Sequence, residues 1–429
     1  MIFSISRESK KYFINTIALF FEKVFKLFLG FFVIVLLTRY LGPEKFGLLS
    51  YVQAYVSIGV AIAALGLDQI VTREIVKKPE ARDSVLGTTF CITLLSSAIV
   101  ILFSISLAYF SEDKETAILI SILSFTILFA TFGFLIDAYF QAKVLSKYAV
   151  YSNTVVNILS SFIKIYLILI KVDLIYFIYA LLLDGIFMTI GYIYIYKAQN
   201  LSIKDWRFDK ELARRLIKLS LPLVFIAITA YIYTRTDLIM IKHILGNKVA
   251  GEYAAALRVS ELFFFIPSVI AMSIFPKIVS LKDKNYHHYL NLLENLYRVV
   301  FWLGLIVAIS ISFFSQGIVN LLFGDSYIKS AQILRILSFS IIFISINAVF
   351  VKFLYAENYE KKYLYKNLLG VIVNISLNYL LIKSYGVIGA AYATLITLFV
   401  INYLYDIFDK DLRNLYYLKI VCITPFYKK

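Results

Sequence analysis

The stretch YIYTRTDLIMIKHILG (231–246) reads as a membrane-crossing helix, yet it carries Arg235, Asp237 and Lys242. An ionised side chain at bilayer depth costs roughly 2.5–3.5 kcal/mol on insertion scales, so charges kept there mark a pathway or a binding site. Arginine offers a planar fork that grips phosphate through two bonds. A carboxylate at the same depth either ties helices together or takes up a proton. Residues two apart on a helix point about 200° apart, so Arg235 and Asp237 are not a local pair. Arg235 shares a face with Tyr231 and Lys242. Asp237 faces the other side with Tyr233 and Thr234, where a basic residue such as Arg258 could meet it. We expect Arg235 to contact an anionic ligand and Asp237 to fix the helix or carry a coupling proton.

Seven further basic residues interrupt apolar runs: Lys23, Lys26, Lys164, Arg258, Arg298, Arg335 and Lys366. Three have acids at helical spacing, namely Glu22–Lys26 and Glu294–Arg298 at i,i+4 and Arg258–Glu261 at i,i+3. Such spacing permits pairing. The pairs either neutralise themselves and snorkel to the interface or line a wet cavity. Lys164 ends a polar stripe of Asn153, Asn157, Ser160 and Ser161, which points it toward a cavity. Asp184 has no local partner and could be a protonatable site or the acceptor for Lys164. A second stripe, Asn367, Gly370, Asn374 and Asn378, reads more readily as interhelical glue. Arg335 stands near the outer end of its run. Pro267 interrupts another run and should kink it, either as a hinge or as a static bend.

These side chains must be positioned by membrane spans. Of 429 residues, 61% are hydrophobic and 16% charged, with a mean hydropathy of +0.82. A soluble domain is nearer half apolar and a quarter charged. Apolar runs at 12–37, 46–70, 85–110, 117–140, 148–170, 174–196, 218–241, 251–276, 289–314, 330–351, 363–382 and 386–405 predict an all-α integral membrane protein of about twelve transmembrane helices. With both termini cytoplasmic, 27 of the 43 Lys and Arg fall in inside segments, 8 in outside loops and 8 in spans. That bias obeys the positive-inside rule. The expected organisation is an N-terminal six-helix bundle (1–196), a cytoplasmic linker (197–217), a C-terminal six-helix bundle (218–411) and a cytoplasmic or interfacial tail (412–429). Net charge is +16, but its placement at the membrane argues against nucleic acid. Cys91 and Cys422 have no metal-ligand spacing, so no metal site is expected. Neither a catalytic triad nor a nucleotide-binding loop is present in the sequence. The outside loops are too short for an extracellular catalytic domain, which argues against an enzyme.

The halves also repeat. TRYLGPEKFG (38–47) and KHILGNKVAG (242–251) both read L-G-x-x-x-x-G, and FQAKVLSKY…VVNI (140–158) has a counterpart in LYAENYEKKY…IVNI (354–375). Six-helix halves of the same orientation would be related by an axis along the membrane normal.

Through 36–75, through YTRTDLIMIKHILGNKVAGEYAAALRVSELFFFIP (233–267) and through the 6+6 layout, essentially the whole chain resembles the Wzx-type O-antigen and capsule flippases of the multidrug/oligosaccharidyl-lipid/polysaccharide exporter superfamily. The resemblance implies transfer of a polyprenyl-pyrophosphate-linked oligosaccharide from inner to outer leaflet, in the cytoplasmic (inner) membrane, for O-antigen (lipopolysaccharide) or capsule synthesis. It implies alternate opening of two bundles, no bound cofactor, and coupling to a proton or sodium gradient. A polysaccharide polymerase and a chain-length regulator would be the protein partners. The cations Arg235, Arg258, Lys26, Lys164, Arg298 and Arg335 would then compensate the pyrophosphate. Asp237, Glu261, Glu22 and Asp184 would couple ions or pair helices. The rival readings are a multidrug/cation antiporter of the same superfamily, a polysaccharide polymerase or ligase, and a nonenzymatic scaffold.

Overall fold

The structure is a computed structural model that describes residues 7–357 and 359–422, with side chains described from residue 24 onward except at 276, 283, 355, 360 and 414. The described chain is all-helical. Among the described residues, nine helices are long and apolar enough to cross a membrane, or ten if the bent pair Asp325–Leu337 and Ser340–Leu354 forms one span. Two apolar stretches, Val24–Lys77 and Lys361–Phe408, run to 54 and 48 residues. At 1.5 Å per residue each far exceeds a hydrocarbon core of about 30 Å. Glycine breaks both: Gly42 and Gly386 have non-helical backbone angles inside otherwise continuous helices.

The chain divides into two compact units, Met1–Tyr40 with Val52–Tyr231, and Leu41–Tyr51 with Ile232–Lys429. In the first, α1 (Arg7–Ala64) is followed by α2 (Leu67–Lys77), α3 (Arg82–Ser111), α4 (Lys114–Ser124), α5 (Thr126–Ala142), α6 (Ser146–Leu169), α7 (Leu174–Ala198) and the start of α8 (Lys210–Leu245). The Asp113 side chain caps α4 by accepting from the Thr116 amide at 2.9 Å, as expected of an N-cap aspartate. The core here joins Val71, Leu86, Ile136, Phe140 and Tyr196.

The segment between α7 and α8 is no loose tether. Trp206 donates to the Tyr196 hydroxyl at 3.1 Å and packs against Phe90 and Phe132. The Arg207 amide donates to the Asp83 carbonyl at 3.1 Å, and the Asp209 amide to Thr88 Oγ1 at 2.9 Å. Gly87 lets the backbones meet, since a Cβ there would lie 2.5 Å from the Arg207 nitrogen. Residues 210–217, expected in the linker, extend α8 instead, and α8 therefore carries Pro222 in its interior.

The second unit contains the remainder of α8, then α9 (Asn247–Leu262), α10 (Phe265–Lys284), α11 (Tyr286–Phe323), α12 (Ile328–Leu337), α13 (Ser340–Glu357), α14 (Glu360–Phe399), a π-helical turn (Val400–Leu404), α15 (Tyr405–Phe408) and α16 (Arg413–Val421). Its core gathers Tyr289, Tyr297, Val300, Ile346 and Phe350. The expected span 251–276 is broken between α9 and α10. Proline lacks the amide that would bond the carbonyl four residues back, here that of Phe263. The Ile266 amide reaches that carbonyl instead at 3.3 Å. Pro267 therefore sits in the first turn of α10, directly after the break.

Leu41–Tyr51 belongs to the second unit because the two L-G-x-x-x-x-G motifs pack on each other. Gly42 (φ 67°, ψ 172°) and Gly246 (φ 87°, ψ 174°) adopt the same left-handed extended conformation, which is essentially glycine-only. A Cβ on Gly47 would fall 1.9 Å from the Asn247 carbonyl oxygen, and one on Gly251 would fall 1.8 Å from that of Pro43. Each motif's second glycine thus touches the residue after the other's first glycine. The repeat in the sequence is a reciprocal contact in the fold.

Candidate functional site

Two glycine turns assemble the site in the second unit. In a helical hairpin, residues equally far from the turn face one another. Arg235 lies eleven residues before Gly246, and Arg258 lies twelve after it. Asn378 and Thr394 each lie eight residues from Gly386. At 1.5 Å per residue these positions stand roughly 12–18 Å below their turns, near half the hydrocarbon thickness.

The α8–α9 hairpin sets two arginines around one carboxylate. Arg235 Nη1 donates to Glu261 Oε1 at 3.2 Å, and Arg258 Nη1 lies 3.6 Å from Glu261 Oε2. All three side chains are a little over a quarter exposed. This trio therefore carries an excess of one positive charge and remains accessible. The pairing expected of Arg258 and Glu261 at i,i+3 is present, with Arg235 added to it.

Asp237 is built differently. It is 5% exposed and accepts from three neutral donors: Tyr253 Oη at 2.9 Å, Asn378 Nδ2 at 2.7 Å and Thr394 Oγ1 at 2.5 Å. Arg258, suggested by the sequence as its partner, pairs with Glu261 instead, because Asp237 points to the α14 side of α8. Among the described residues no Lys or Arg pairs with Asp237. A buried carboxylate held by neutral donors alone leaves its charge uncompensated, a costly arrangement unless a proton or cation joins it.

Asp237 and Glu261 line one cavity of about 100 Å³ together with Tyr233, Asn347, Asn374 and Asn402. That is room for several waters. The α14 stripe, expected to be glue, serves both purposes: Asn378 ties α14 to Asp237 while Asn374 faces the cavity. Beyond the opposite wall lies Lys366, fully buried, whose Nζ donates to Asn347 Oδ1 and Asn402 Oδ1, both at 2.8 Å. Its ammonium also stands 3.9 Å from the centre of the Phe350 ring. Asn402 sits on the π-helical turn, and its main-chain carbonyl accepts from Lys419 at 2.8 Å. Lys419 in turn pairs with Asp406, both fully buried. The tail helix α16, expected to be cytoplasmic or interfacial, is thereby anchored in the core of this unit.

The other charged candidates go elsewhere. Lys164 pairs with Asp184 at 2.5 Å in the first unit and donates to Ser160 Oγ at 2.8 Å, which is the partnership the sequence suggested for Asp184. Arg298 is buried and pairs with Glu294 at 2.6 Å, with a further bond to Asn295. Lys26 and Arg335 are exposed. The Glu22 side chain lies outside the described residues, so the Glu22–Lys26 spacing is not visible as a contact. None of Lys26, Lys164, Arg298 or Arg335 joins the Arg235–Glu261–Arg258 group. Sequence reading missed Tyr253, Thr394, Asn347 and Asn402. The one available signal was that Thr394 mirrors Asn378 about Gly386.

The sequence matches the polysaccharide biosynthesis protein family over residues 13–282 and the MatE family over residues 222–380. A probable low-salt glycan biosynthesis flippase, Agl15 of Haloferax volcanii, is 28% identical over 191 residues, which cover 44% of this chain and 40% of that protein. The chain thus spans less than half the length of that relative. An uncharacterized membrane protein of Methanocaldococcus jannaschii is 27% identical across 87% of this chain and 78% of its own length. Among solved structures, an inward-facing multidrug resistance MATE family transporter of the MOP superfamily superposes with a TM-score of 0.76 at 14% identity, covering 92% of this chain and 96% of that one. The lipid II flippase MurJ, in an inward closed conformation, superposes with a TM-score of 0.68 at 19% identity, covering 97% and 94%. These likenesses give the fold. The family match spans well over half the chain, and with it this multi-pass membrane protein belongs to the polysaccharide biosynthesis protein family.

Proposed function

We propose that the protein is a flippase for a polyprenyl-pyrophosphate-linked oligosaccharide, moving it from the inner to the outer leaflet of the cytoplasmic membrane for capsule or other surface glycan synthesis. The observation that carries this reading is the trio of Arg235, Glu261 and Arg258. Two accessible arginines share one carboxylate near half the membrane depth, and so offer net positive charge where a pyrophosphate must cross. The names of related proteins support it, since a glycan biosynthesis flippase and a capsular polysaccharide biosynthesis protein, CapF of Staphylococcus aureus, are among them. In this reading the kinks at Gly42 and Gly386 each divide one long helix into two spans. With the bent pair counted once, twelve spans result, both termini cytoplasmic, and cargo moves by alternating access. Asp237, buried without a counter-cation, takes the coupling proton or sodium ion. Lys26, Lys164, Arg298 and Arg335 are not needed for the phosphate contact. Polymerase and chain-length regulator would act on the cargo after release.

Reconstitution tests this. Proteoliposomes loaded with a fluorescent lipid-linked oligosaccharide should expose it to an impermeant glycosidase in a protein-dependent manner. Replacing Arg235 and Arg258 together by alanine should slow exposure at least tenfold. Wild-type rates in that double variant would remove the pyrophosphate role.

One observation favours a second reading, a cation antiporter. The cavity bearing Asp237 and Glu261 presents carboxylates without basic side chains among its lining residues, and both carboxylates fall in the stretch matching MatE. Extrusion of a cationic dye by the same vesicles, with no oligosaccharide transfer, would establish that alternative.

A further inference from the structure

Glu261 faces two ways. Its carboxylate spans the gap between Arg235 and Arg258, and its side chain also lines the cavity that holds Asp237. Arg235, Arg258, Glu261 and Asp237 together sum to zero charge. A phosphate arriving at the arginines competes with Glu261 for the same guanidinium hydrogens, and charge-assisted bonds to phosphate oxygens are strong and bidentate. A carboxylate displaced from both arginines becomes a second uncompensated acid in a cavity that already contains one. The cavity then attracts positive charge far more strongly than before, because charges in a low-dielectric site interact steeply.

We propose that Glu261 is a transferable counter-ion that couples anion binding at Arg235 and Arg258 to uptake of a monovalent cation or proton in the Asp237 cavity. The inference rests on the phosphate-binding role given to the arginines above. Without anion, Glu261 is held between the two arginines and offsets one of their two charges, and the cavity holds one uncompensated acid. With anion, Glu261 and Asp237 form an acidic pair that takes up the cation. The charged or titratable groups around Glu261 and its cavity are Arg235, Asp237 and Tyr233 from α8 and Arg258 from α9, with Tyr253 of α9 on Asp237. The lining from α13 and α14 is neutral, Ser340, Asn347, Asn374 and Thr394 among it, and Lys366 stands behind Asn347 and Asn402. Of these, Asp237 and Glu261 have the acidic chemistry to receive the cation. By linkage the coupling is reciprocal: cation must strengthen anion binding by the factor that anion strengthens cation binding.

The test uses full-length protein in lipid nanodiscs with farnesyl pyrophosphate as the anion probe, titrated calorimetrically. One arm exchanges sodium for choline at constant ionic strength, and another steps pH downward without sodium, which distinguishes sodium from proton. Wild type should bind the probe about fivefold or more tightly in whichever arm supplies the coupling cation. Glu261→Gln should bind more tightly than wild type in choline at neutral pH, and its affinity should no longer respond to sodium or acid. Glu261→Asp, which keeps the charge, should retain a response. Wild-type affinity indifferent to both cations, or an equal response in Glu261→Gln, overturns the proposal. Because the wild-type series alone can refute it, a misfolded variant does not shelter it. Probe binding that is absent, or unchanged in Arg235→Ala and Arg258→Ala, refutes instead the phosphate role on which the inference stands.

Discussion

Alanine at Gly47 or Gly251 tests the reciprocal glycine contact directly. The added Cβ would lie 1.9 Å from the Asn247 carbonyl oxygen or 1.8 Å from that of Pro43, where ordinary contact begins near 3.4 Å. The segments must therefore part by about 1.5 Å, and both clashing atoms are backbone, so no rotamer change relieves them. Overpacking of this kind costs about 1–3 kcal/mol and occasionally more. Either substitution should lower the midpoint of thermal unfolding in detergent, and the loss should be sizeable for a buried turn. The reciprocity adds a sharper expectation. Once one alanine has pushed the two motifs apart, the second meets a gap already opened, so the double variant should lose less than the sum of the singles, with a coupling of about 0.5–3 kcal/mol. Strictly additive losses would falsify the idea that both glycines serve one contact. Two harmless single substitutions would deny the contact itself.

Further outcomes follow from the buried polar groups. Lys419→Met should destabilise the protein by about 3–5 kcal/mol because it strands buried Asp406, whereas Lys419→Met with Asp406→Leu should recover most of that loss; equal instability of single and double would show that the pair is not what anchors α16. Asp237→Asn should stay folded, since the amide oxygen can accept from Asn378 and the amide nitrogen can donate to the Tyr253 or Thr394 hydroxyl. In that variant any thermal stabilisation by sodium or by acid should vanish, and its persistence would move the coupling ion elsewhere. Pro267→Ala restores an amide within reach of the Phe263 carbonyl and should leave thermal stability near wild type or higher. Reduced oligosaccharide transfer in that variant would mark a moving hinge, and unchanged transfer would mark a static bend.

Much was readable along the chain. Apolar runs located the helices because burial in lipid demands long apolar segments, but they left helix ends and breaks open: α8 starts eight residues before its run, α11 ends nine after its own, and the run 251–276 is divided between α9 and α10. The L-G-x-x-x-x-G repeat marked two motifs that meet in the fold, and positive φ at Gly42 and Gly246 explains why glycine stands there. The i,i+3 and i,i+4 spacings revealed Arg258–Glu261 and Glu294–Arg298, since helical geometry alone brings those side chains together. Even the suspicion that Asp184 answers Lys164 held, because each was costly at that depth without the other.

Tertiary structure decided which helix each remaining polar face meets. Asp237 could have faced Arg258, and it faces Asn378 and Thr394 because of how α8 and α14 are rotated, which no local spacing records. The same rotation gives Glu261 to Arg235 as well as Arg258, and buries Lys419 of a short tail helix against Asp406. Periodicity along one helix fixes the angle between its own side chains, but the choice of partner depends on packing between helices distant in sequence. The residues were thus visible from the sequence as expensive, while the neighbours of Arg235 and Asp237 emerged only in the fold: one shares an acid with a second arginine, and the other is buried among neutral donors at the wall of a cavity.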